Sequence, residues 1–287
     1  MEQIKQIIDY LDSNQLYPDL RIIQGSAEPE VEIDGKKVLM FSSNNYLNLS
    51  SHPRIIKIAV QAIRKYGTGS GGSRMLSGNL QIHRDFEIAI AEFKGGEDAI
   101  VWPCGYSANV GTISAMMDMP KIISEKDTNK NVIISDELNH ASIIDGCKLS
   151  RQEVEVYKHN DIEDLMRVLK KNQDKRMLVV TDSVFSMDGD IAPLDKISQM
   201  CKEYGALLMI DEAHSTGILG DNGKGACEYF NLEVGKDVDI VLGTCSKALA
   251  ATGGFVVGNR ELIRYLRISS RSYIFSTAMT PAASASL

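Results

Sequence analysis

Two short segments carry the residues best suited to chemistry. The apolar run Leu207 to Ile210 ends in the sequence DEAH (211–214), and the run Asp239 to Leu242 ends in GTCSK (243–247). Open α/β sheets place their chemistry where such buried strands end. An acid, an imidazole and an amine are therefore expected at one edge of a sheet.

The residue types at these strand ends indicate an aldehyde cofactor. A lysine beside apolar sequence, here Lys247, can stay neutral enough to form a Schiff base with a carbonyl group. Asp211 at the other strand end can hold a pyridinium nitrogen protonated, and the hydroxyl of Thr244 can bind a phosphate. Taken singly, Lys247 could be a surface lysine, Asp211 a helix cap and His214 a loop histidine. Their convergence favours a pyridoxal phosphate site.

Two further strand ends offer weaker candidates. His140 in SDELNHAS (135–142) either stacks on a cofactor or is exposed beside a capping residue, and the sequence leaves both open. Gly105 and Tyr106 follow the strand pattern at 99–102, where a helix start would bind phosphate or form an ordinary turn. The glycine loop at 67–74 lacks the surroundings of a dinucleotide or Walker motif. It therefore does not predict a nucleotide site.

Other chemistries are poorly supported. Asp136, His140, Asp211 and His214 are acceptable metal ligands, but no HExxH motif or short ligand spacing joins them, so no metal is expected. Ser186 lies outside a GxSxG turn, which favours a hydrogen-bonding role over that of a hydrolase nucleophile.

Composition narrows the class of protein. The 287 residues are 44% hydrophobic with a net charge of −7, and no Lys/Arg run suits nucleic acid or an anionic membrane. No stretch approaches the ~20 apolar residues of a membrane span, and no signal peptide opens the sequence. The five cysteines are an odd number without CxxC spacing, which favours a reducing compartment. A cytoplasmic protein is expected.

The periodicity of apolar residues predicts an α/β fold. A helix over 1–16 and a hairpin over 31–41 form an expected N-terminal arm, residues 1–50, before a large domain at 51–287. In that domain helical patterns at 53–66, 80–94, 105–118, 140–149, 161–171 and 193–204 alternate with strands at 99–102, 132–135, 154–157, 177–181, 207–210, 240–242 and 255–257. This alternation predicts a mainly parallel sheet with helices on both faces.

Eight segments, in this order, resemble the α-oxoamine synthase family of fold-type I pyridoxal phosphate enzymes. They are FSSNNYLNLS, GTGSGGSRMLSGN, CGYSAN, SDELNHASIIDG, VFSMDGDIAPL, DEAHSTGILG, GTCSKALAATGGF and YIFSTAMTP, and they run from Phe41 to near the last residue. The family includes 8-amino-7-oxononanoate synthase, serine palmitoyltransferase, glycine C-acetyltransferase and 5-aminolevulinate synthase. The resemblance implies the large domain of that fold.

The resemblance also implies roles for residues around the cofactor. Lys247 would carry the Schiff base and move the α-proton, Asp211 would pair with the pyridine nitrogen, and His140 would stack on the ring. The remaining implied cofactor contacts are Ser186 and His214 at the phenolic oxygen, and Gly105, Tyr106 and Thr244 at the phosphate. Ser276 and Thr277 would reach the phosphate from a second subunit, which implies a homodimer.

On the substrate side, the resemblance implies Asn44 as a contact for the amino acid, and Thr68 and Ser73 in a loop facing the acyl thioester. The implied reaction condenses glycine, alanine or serine with an acyl-CoA or acyl-carrier thioester, with loss of CO2, to give an α-aminoketone. SGGSRMLSG and SSNNYL favour 8-amino-7-oxononanoate synthase, whereas DEAHSTG and GTCSKALA favour serine palmitoyltransferase; glycine C-acetyltransferase ranks third.

One departure from the family keeps a second class of function open. Family members usually continue into a smaller C-terminal domain with a carboxylate-binding arginine, and this sequence stops at Leu287. The small domain is therefore expected to be absent, which leaves a truncated, inactive cofactor-binding homologue as an alternative. An aminotransferase would keep Lys247 and Asp211 but has no use for the acyl-side glycine loop.

Overall fold

The computed structural model describes residues 1–118 and 131–287. These residues form two compact units, Met1–Ser43 and Asn44–Leu287. In the smaller unit, helix α1 (Glu2–Ser13) precedes the strands β1 (Ile23–Gln24), β2 (Glu30–Ile33) and β3 (Lys36–Leu39), which pair antiparallel. Asp34 and Gly35 turn the hairpin with φ of 51° and 71°, the left-handed pair that a tight hairpin needs.

The larger unit alternates helices and strands. Its first half contains α2 (Pro53–Tyr66), α3 (Gln81–Lys94), β4 (Asp98–Trp102), α4 (Gly105–Met117), β5 (Asn131–Asp136), α5 (Ala141–Ser150), β6 (Glu153–Tyr157) and α6 (Ile162–Lys171). Its second half contains β7 (Arg176–Asp182), α7 (Leu194–Tyr204), β8 (Leu207–Asp211), α8 (Ala226–Tyr229), β9 (Ile240–Thr244), β10 (Gly254–Gly258), α9 (Arg260–Ser269), α10 (Arg271–Ile274) and α11 (Pro281–Ser286). All seven strands predicted for the large domain are present.

These seven strands form one sheet in the order β4-β10-β9-β8-β7-β5-β6. Every pair from β9 to β6 is parallel, and β10 runs antiparallel to both β9 and β4. Because Gly254 pairs with both Trp102 and Thr244, the carboxyl ends of β4 and β9 lie at the same edge. The predicted mainly parallel sheet is confirmed.

Alternate residues of the strands pack against helices on opposite faces of the sheet. Val132 and Ile134 of β5 join a core with Leu165 of α6. Ile133, between them, joins a core with Ile143 of α5. Strands buried on both faces need continuous apolar runs, which explains why these segments read as uninterrupted hydrophobic sequence. Across 1–118 and 131–287, none of the helices combines the length and apolarity of a membrane span.

Candidate active site

A cavity of about 280 Å³ opens at the carboxyl edge of the sheet. It is lined by Cys104, Gly105, Tyr106, Asn109, His140, Ser142, Asp182, Ser186, Asp211, Ala213, His214, Leu242, Thr244, Ser246 and Lys247. The ends of β7, β8 and β9 and the segments that follow β4, β5, β7, β8 and β9 supply these residues, because parallel strands deliver their carboxyl ends to one edge. The pocket thus contains all eight residues that were predicted to contact the cofactor from within the same subunit.

The amine and the imidazole predicted for this site are in direct contact. Lys247 Nζ lies 2.6 Å from His214 Nε2, and His214 Nδ1 lies 2.7 Å from the hydroxyl of Tyr46. Burial lowers the pKa of Lys247, although the charges of Asp211 and Asp182 act in the opposite direction. Burial, with the nearby charges of Lys247 and His140, lowers the pKa of His214 to about 4. Burial thus disfavours the charged form of both bases.

Two carboxyl groups lie side by side in the pocket. Asp211 ends β8 and Asp182 ends β7, and the two residues are partners in the register of the sheet. Burial raises the pKa of Asp211, partly opposed by a 2.7 Å hydrogen bond from Asn109 and one from the Ala213 N–H. Burial and the charge of Asp211 raise the pKa of Asp182 well above its ordinary value. Asp211 is thus an anion that burial destabilises and a cationic partner would stabilise.

Hydrogen bonds connect His140 to Asp211. Asn109 Nδ2 donates to Asp211 Oδ2 at 2.7 Å and to Ser142 Oγ at 2.9 Å. Ser142 Oγ in turn lies 2.7 Å from His140 Nδ1. His140 also caps α5, since its Nδ1 accepts the Ser142 backbone N–H at 3.2 Å. The histidine assigned to the cofactor face is therefore held by two neighbouring contacts.

The part of the pocket formed by the start of α4 and the end of β9 suits a phosphate group. Helix α4 begins at Gly105, and the first N–H groups of a helix lack acceptors within it. A Cβ at Gly105 would lie 3.1 Å from Thr244, so the glycine lets the helix start approach β9 closely. Thr244 Oγ1 lies 2.8 Å from the hydroxyl of Ser246, and both line the pocket. Tyr106 is fixed at the entrance by a hydrogen bond to Asp145.

Five predicted site residues lie outside the pocket lining in the described parts of the chain. Thr68 is exposed, Ser276 is half-buried, and Ser73 forms an antiparallel bridge with the exposed Thr277. Asn44 accepts a hydrogen bond from the Tyr46 hydroxyl at 3.2 Å, and is therefore three contacts from Lys247, through Tyr46 and His214. Roles for these five residues stay predictions.

Sequence reasoning missed four residues of the site: Asp182, Asn109, Ser142 and Tyr46. Asp182 ends a buried strand as Asp211 does, so the same signal could have identified it. Asn109 and Tyr46 lie inside segments that were recognised, CGYSAN and FSSNNYLNLS, without a role being assigned. Their roles depend on contacts between residues 102 or 168 positions apart, which no local pattern encodes.

The residues of this pocket fit pyridoxal phosphate. A lysine amine, a buried carboxylate, two imidazoles and a helix start with a threonine hydroxyl match its aldehyde, ring nitrogen, ring and phosphate. Within the described ranges, no three His, Cys, Asp or Glu side chains gather as metal ligands would.

Comparison with known proteins agrees with this geometry. A family model described as aminotransferase class I and II matches residues 36–287. The 8-amino-7-oxononanoate synthase of Thermoanaerobacter pseudethanolicus is 46% identical over 285 residues, which cover 99% of this chain and 69% of that protein. The chain belongs to the α-oxoamine synthases, within the class I and II aminotransferase family.

Other relatives of this α-oxoamine synthase carry two names. The 8-amino-7-oxononanoate synthase of Lysinibacillus sphaericus is 47% identical over 283 residues, 98% of this chain and 70% of that protein. A serine palmitoyltransferase from S. paucimobilis, solved with PLP and myriocin bound, has a TM-score of 0.88 and 35% identity, covering 99% of this chain and 69% of that one. The α-oxoamine synthase is thus a pyridoxal phosphate enzyme, as predicted, and spans about seven tenths of these relatives.

Proposed function

We propose that this α-oxoamine synthase condenses a small amino acid with an acyl thioester, releasing CO2 and the thiol, and that it most resembles 8-amino-7-oxononanoate synthase. The observation that carries the proposal is the 2.6 Å contact between Lys247 Nζ and His214 Nε2 in a pocket shared with Asp211. A lysine whose pKa is lowered by burial can act as both nucleophile and base near neutral pH.

The name of the product defines the substrates to test first. In 8-amino-7-oxononanoate, the amino carbon and the terminal methyl group match alanine after loss of its carboxylate. The other seven carbons, ending in a carboxylate, match a pimeloyl group. Alanine and a pimeloyl thioester therefore balance the product with one CO2 and one thiol released. We propose this pair as the preferred substrates.

The side chains of the pocket divide the work of this reaction. Pyridoxal phosphate supplies an electron sink for the α-carbon when it is bound. Lys247 Nζ would take the α-proton, and Asp211 would accept a hydrogen bond from the protonated ring nitrogen and so stabilise its charge. His140 would contact the ring, and Ser186 and His214 would hold its phenolic oxygen. Gly105, Tyr106 and Thr244 would hold the phosphate.

A second proposal concerns the assembly and its compartment. Ser276 is half-buried and Thr277 is exposed, and neither lines the pocket of its own subunit. This supports a homodimer in which each subunit contributes Ser276 and Thr277 to its partner. All five cysteines are free, which supports a reducing compartment such as the cytoplasm.

A serine palmitoyltransferase-like activity is the alternative that the structural neighbours favour. The two activities differ in amino acid and in acyl chain, so a matrix of alanine, glycine and serine against pimeloyl, acetyl and palmitoyl thioesters separates them. We expect thiol release to be fastest with alanine and the pimeloyl thioester. Preference for serine and palmitoyl would favour the alternative, and preference for glycine and acetyl would favour glycine C-acetyltransferase. No thiol release from any pair would contradict the acyltransferase proposal.

An absorbance measurement tests the cofactor site independently of the substrates. We expect a yellow protein with a visible band after addition of pyridoxal phosphate, and loss of that band in Lys247→Ala. Lys224→Ala, which removes a lysine from the segment between β8 and α8, outside the pocket lining, is the matched control and should keep the band. A band unaffected by Lys247→Ala would contradict the assignment of Lys247.

A further inference from the structure

A continuous row of hydrogen bonds crosses the base of the pocket from Asp211 to His140. Three of its four members are buried: Asn109 and Ser142 are 1% exposed and Asp211 is 4% exposed. Asn109 Nδ2 contacts Asp211 Oδ2 at 2.7 Å and Ser142 Oγ at 2.9 Å, and Ser142 Oγ contacts His140 Nδ1 at 2.7 Å. All four residues line the pocket. The row thus connects Asp211, which was assigned to the ring nitrogen of the cofactor, with His140, which was assigned to the face of the ring.

The Asp211 end gives the row a direction. An ionised carboxylate can only accept hydrogen bonds, so Asn109 must present its amide nitrogen to Asp211. The same nitrogen supplies its second hydrogen to Ser142 Oγ. Since Ser142 Oγ receives a hydrogen there, its own hydroxyl hydrogen is free to be donated onwards to His140 Nδ1.

The His140 end gives the same direction independently. The backbone N–H of Ser142 donates to His140 Nδ1 at 3.2 Å, so this nitrogen already serves as an acceptor. A proton on Nδ1 would set one donor against another and leave the Ser142 backbone N–H without its acceptor. A neutral imidazole whose Nδ1 accepts carries its proton on Nε2.

We propose that Asn109 is a positioning residue which, through Ser142, fixes His140 as the neutral tautomer with its proton on Nε2. The proposal deepens the proposed function, because it defines what His140 can offer to a bound substrate or cofactor. His140 then presents an N–H donor to the pocket and cannot act as a base through Nδ1. A polar group that receives this N–H would be an acceptor, such as a carboxylate or carbonyl oxygen.

The row also couples the tautomer of His140 to the charge of Asp211. The groups that face Asp211 are Asn109, the Ala213 N–H, Lys247, His140 and the neighbouring carboxyl of Asp182. If Asp211 gains a proton, it becomes a donor, and Asn109 no longer needs to present nitrogen to it. Ser142 then loses the hydrogen bond that orients its hydroxyl, and the tautomer of His140 is no longer specified from that side.

Nitrogen-15 NMR of the full chain labelled at histidine tests the proposal. The sequence has five histidines, and His140→Gln assigns the signals of His140. We expect the wild type at pH 8 to show a protonated Nε2, both without and with pyridoxal phosphate. Asn109→Ala should convert His140 to a mixture of tautomers and weaken cofactor binding about tenfold, the effect of losing one hydrogen bond to a charged group.

Asn172→Ala is a matched control. Asn172 is 0% exposed, and its amide also donates twice, to Glu155 Oε1 and to the Val168 carbonyl, each at 2.9 Å. It lies outside the pocket lining, so its loss should leave the tautomer of His140 and the cofactor affinity unchanged. An equal tautomer shift in both variants would contradict a specific role for Asn109.

Two results would overturn the proposal. The first is a wild-type His140 protonated on Nδ1, which needs no variant and so stands even if Asn109→Ala does not fold. The second is a folded Asn109→Ala whose His140 keeps its proton on Nε2. Since the tautomer is measured without substrates, a failure of the acyltransferase assay leaves this result intact, and the reverse also holds.

Discussion

The pocket and a cluster of arginines and carboxylates in the larger unit hold their charged side chains in opposite ways. The pocket contains Lys247, His214, Asp211 and Asp182 at the carboxyl edge of the sheet. The arginine cluster comprises Arg74, Arg84, Glu87, Asp98 and Arg267, where α3, β4 and α9 meet. In this cluster each carboxylate has an arginine within 2.8 Å, with further arginines at 3.1 to 3.4 Å.

The pKa shifts in the two groups differ in sign. In the arginine cluster, burial raises the pKa of Asp98, but hydrogen bonds from Arg84 and the Ala99 N–H and the charge of Arg267 outweigh it, so the pKa falls. In the pocket, burial dominates, so the pKa of Asp211 rises and that of Lys247 falls. Charges that stabilise the fold are paired with each other, whereas charges in the pocket are left for a ligand to compensate.

Lys247 lies in the pocket, whereas Lys94 forms a buried ion pair with Glu212 elsewhere in the larger unit. Replacing each of these lysines by methionine should give the largest contrast in activity and stability. Lys247→Met should reduce thiol release on the order of 10³-fold, because it removes both nucleophile and base. Its free energy of unfolding without cofactor should change by less than about 1 kcal/mol, since the amine is not held by a buried anion within hydrogen-bond distance. Activity assays and urea unfolding measure the two quantities.

Lys94→Met is the matched control for that substitution. Lys94 and Glu212 are both fully buried and form an ion pair, and Lys94 Nζ also lies 3.2 Å from Thr216 Oγ1. Removing this amine leaves an unpaired buried carboxylate and should cost about 3 kcal/mol of stability. If Lys247→Met proved the more destabilising of the two, the distinction between paired and unpaired charges would be wrong.

The sequence predicted which functional residues follow the ends of strands, but not which side chains contact them. Asp211, His214 and Lys247 were predicted as a group because parallel strands must deliver their ends to one edge, and the pocket contains all three. The partners that tune them come from distant segments: Tyr46 from the segment before α2 and Asn109 from α4. No periodicity or motif spacing specifies which side chains meet across such separations.

The sequence did not predict the arginine cluster, for a related reason. Charged residues in the glycine loop at 67–74 and in the helical pattern at 80–94 would normally be expected to be solvated, yet Arg74 is 8% exposed and Glu87 is 1% exposed. Burial of these residues depends on how α3 packs against β4 and on the segment that carries Arg74. The alternation of helices and strands predicted the fold, but this packing decides which polar residues become buried.

Breaking the arginine cluster should affect stability and leave the chemistry in place. Glu87→Gln removes the anion that contacts Arg74, Arg84 and Arg267, so we expect a loss of about 3 kcal/mol in urea unfolding. Glu233→Gln, which breaks an exposed pair with Lys236, should leave the stability nearly unchanged, because solvent screens an exposed ion pair. Equal losses in the two variants would show that the cluster contributes no more than a surface ion pair.

The smallest expected effect is a difference between two histidines, His214 and His159, in their response to pH. Burial lowers the pKa of His214 to about 4. For His159, burial lowers the pKa, but hydrogen bonds to Asp136 and Asp190, each 2.8 Å long, outweigh it and raise the pKa above its ordinary value. At pH 5.5, histidine NMR should therefore show that His159 is charged and that His214 is neutral.

The two histidines should also change stability in opposite pH ranges. The unfolded chain protonates His214 near pH 6.5 and the folded chain only near 4, so this residue's contribution is complete above 6.5 and is lost as the pH falls through about 4. The contribution of His159 is complete below 6.5 and is lost as the pH rises through its raised pKa. His214→Gln should thus flatten the acid side of the stability profile and His159→Gln the alkaline side. The same change of profile in both variants would mean that pocket and ion-paired histidines are not held differently.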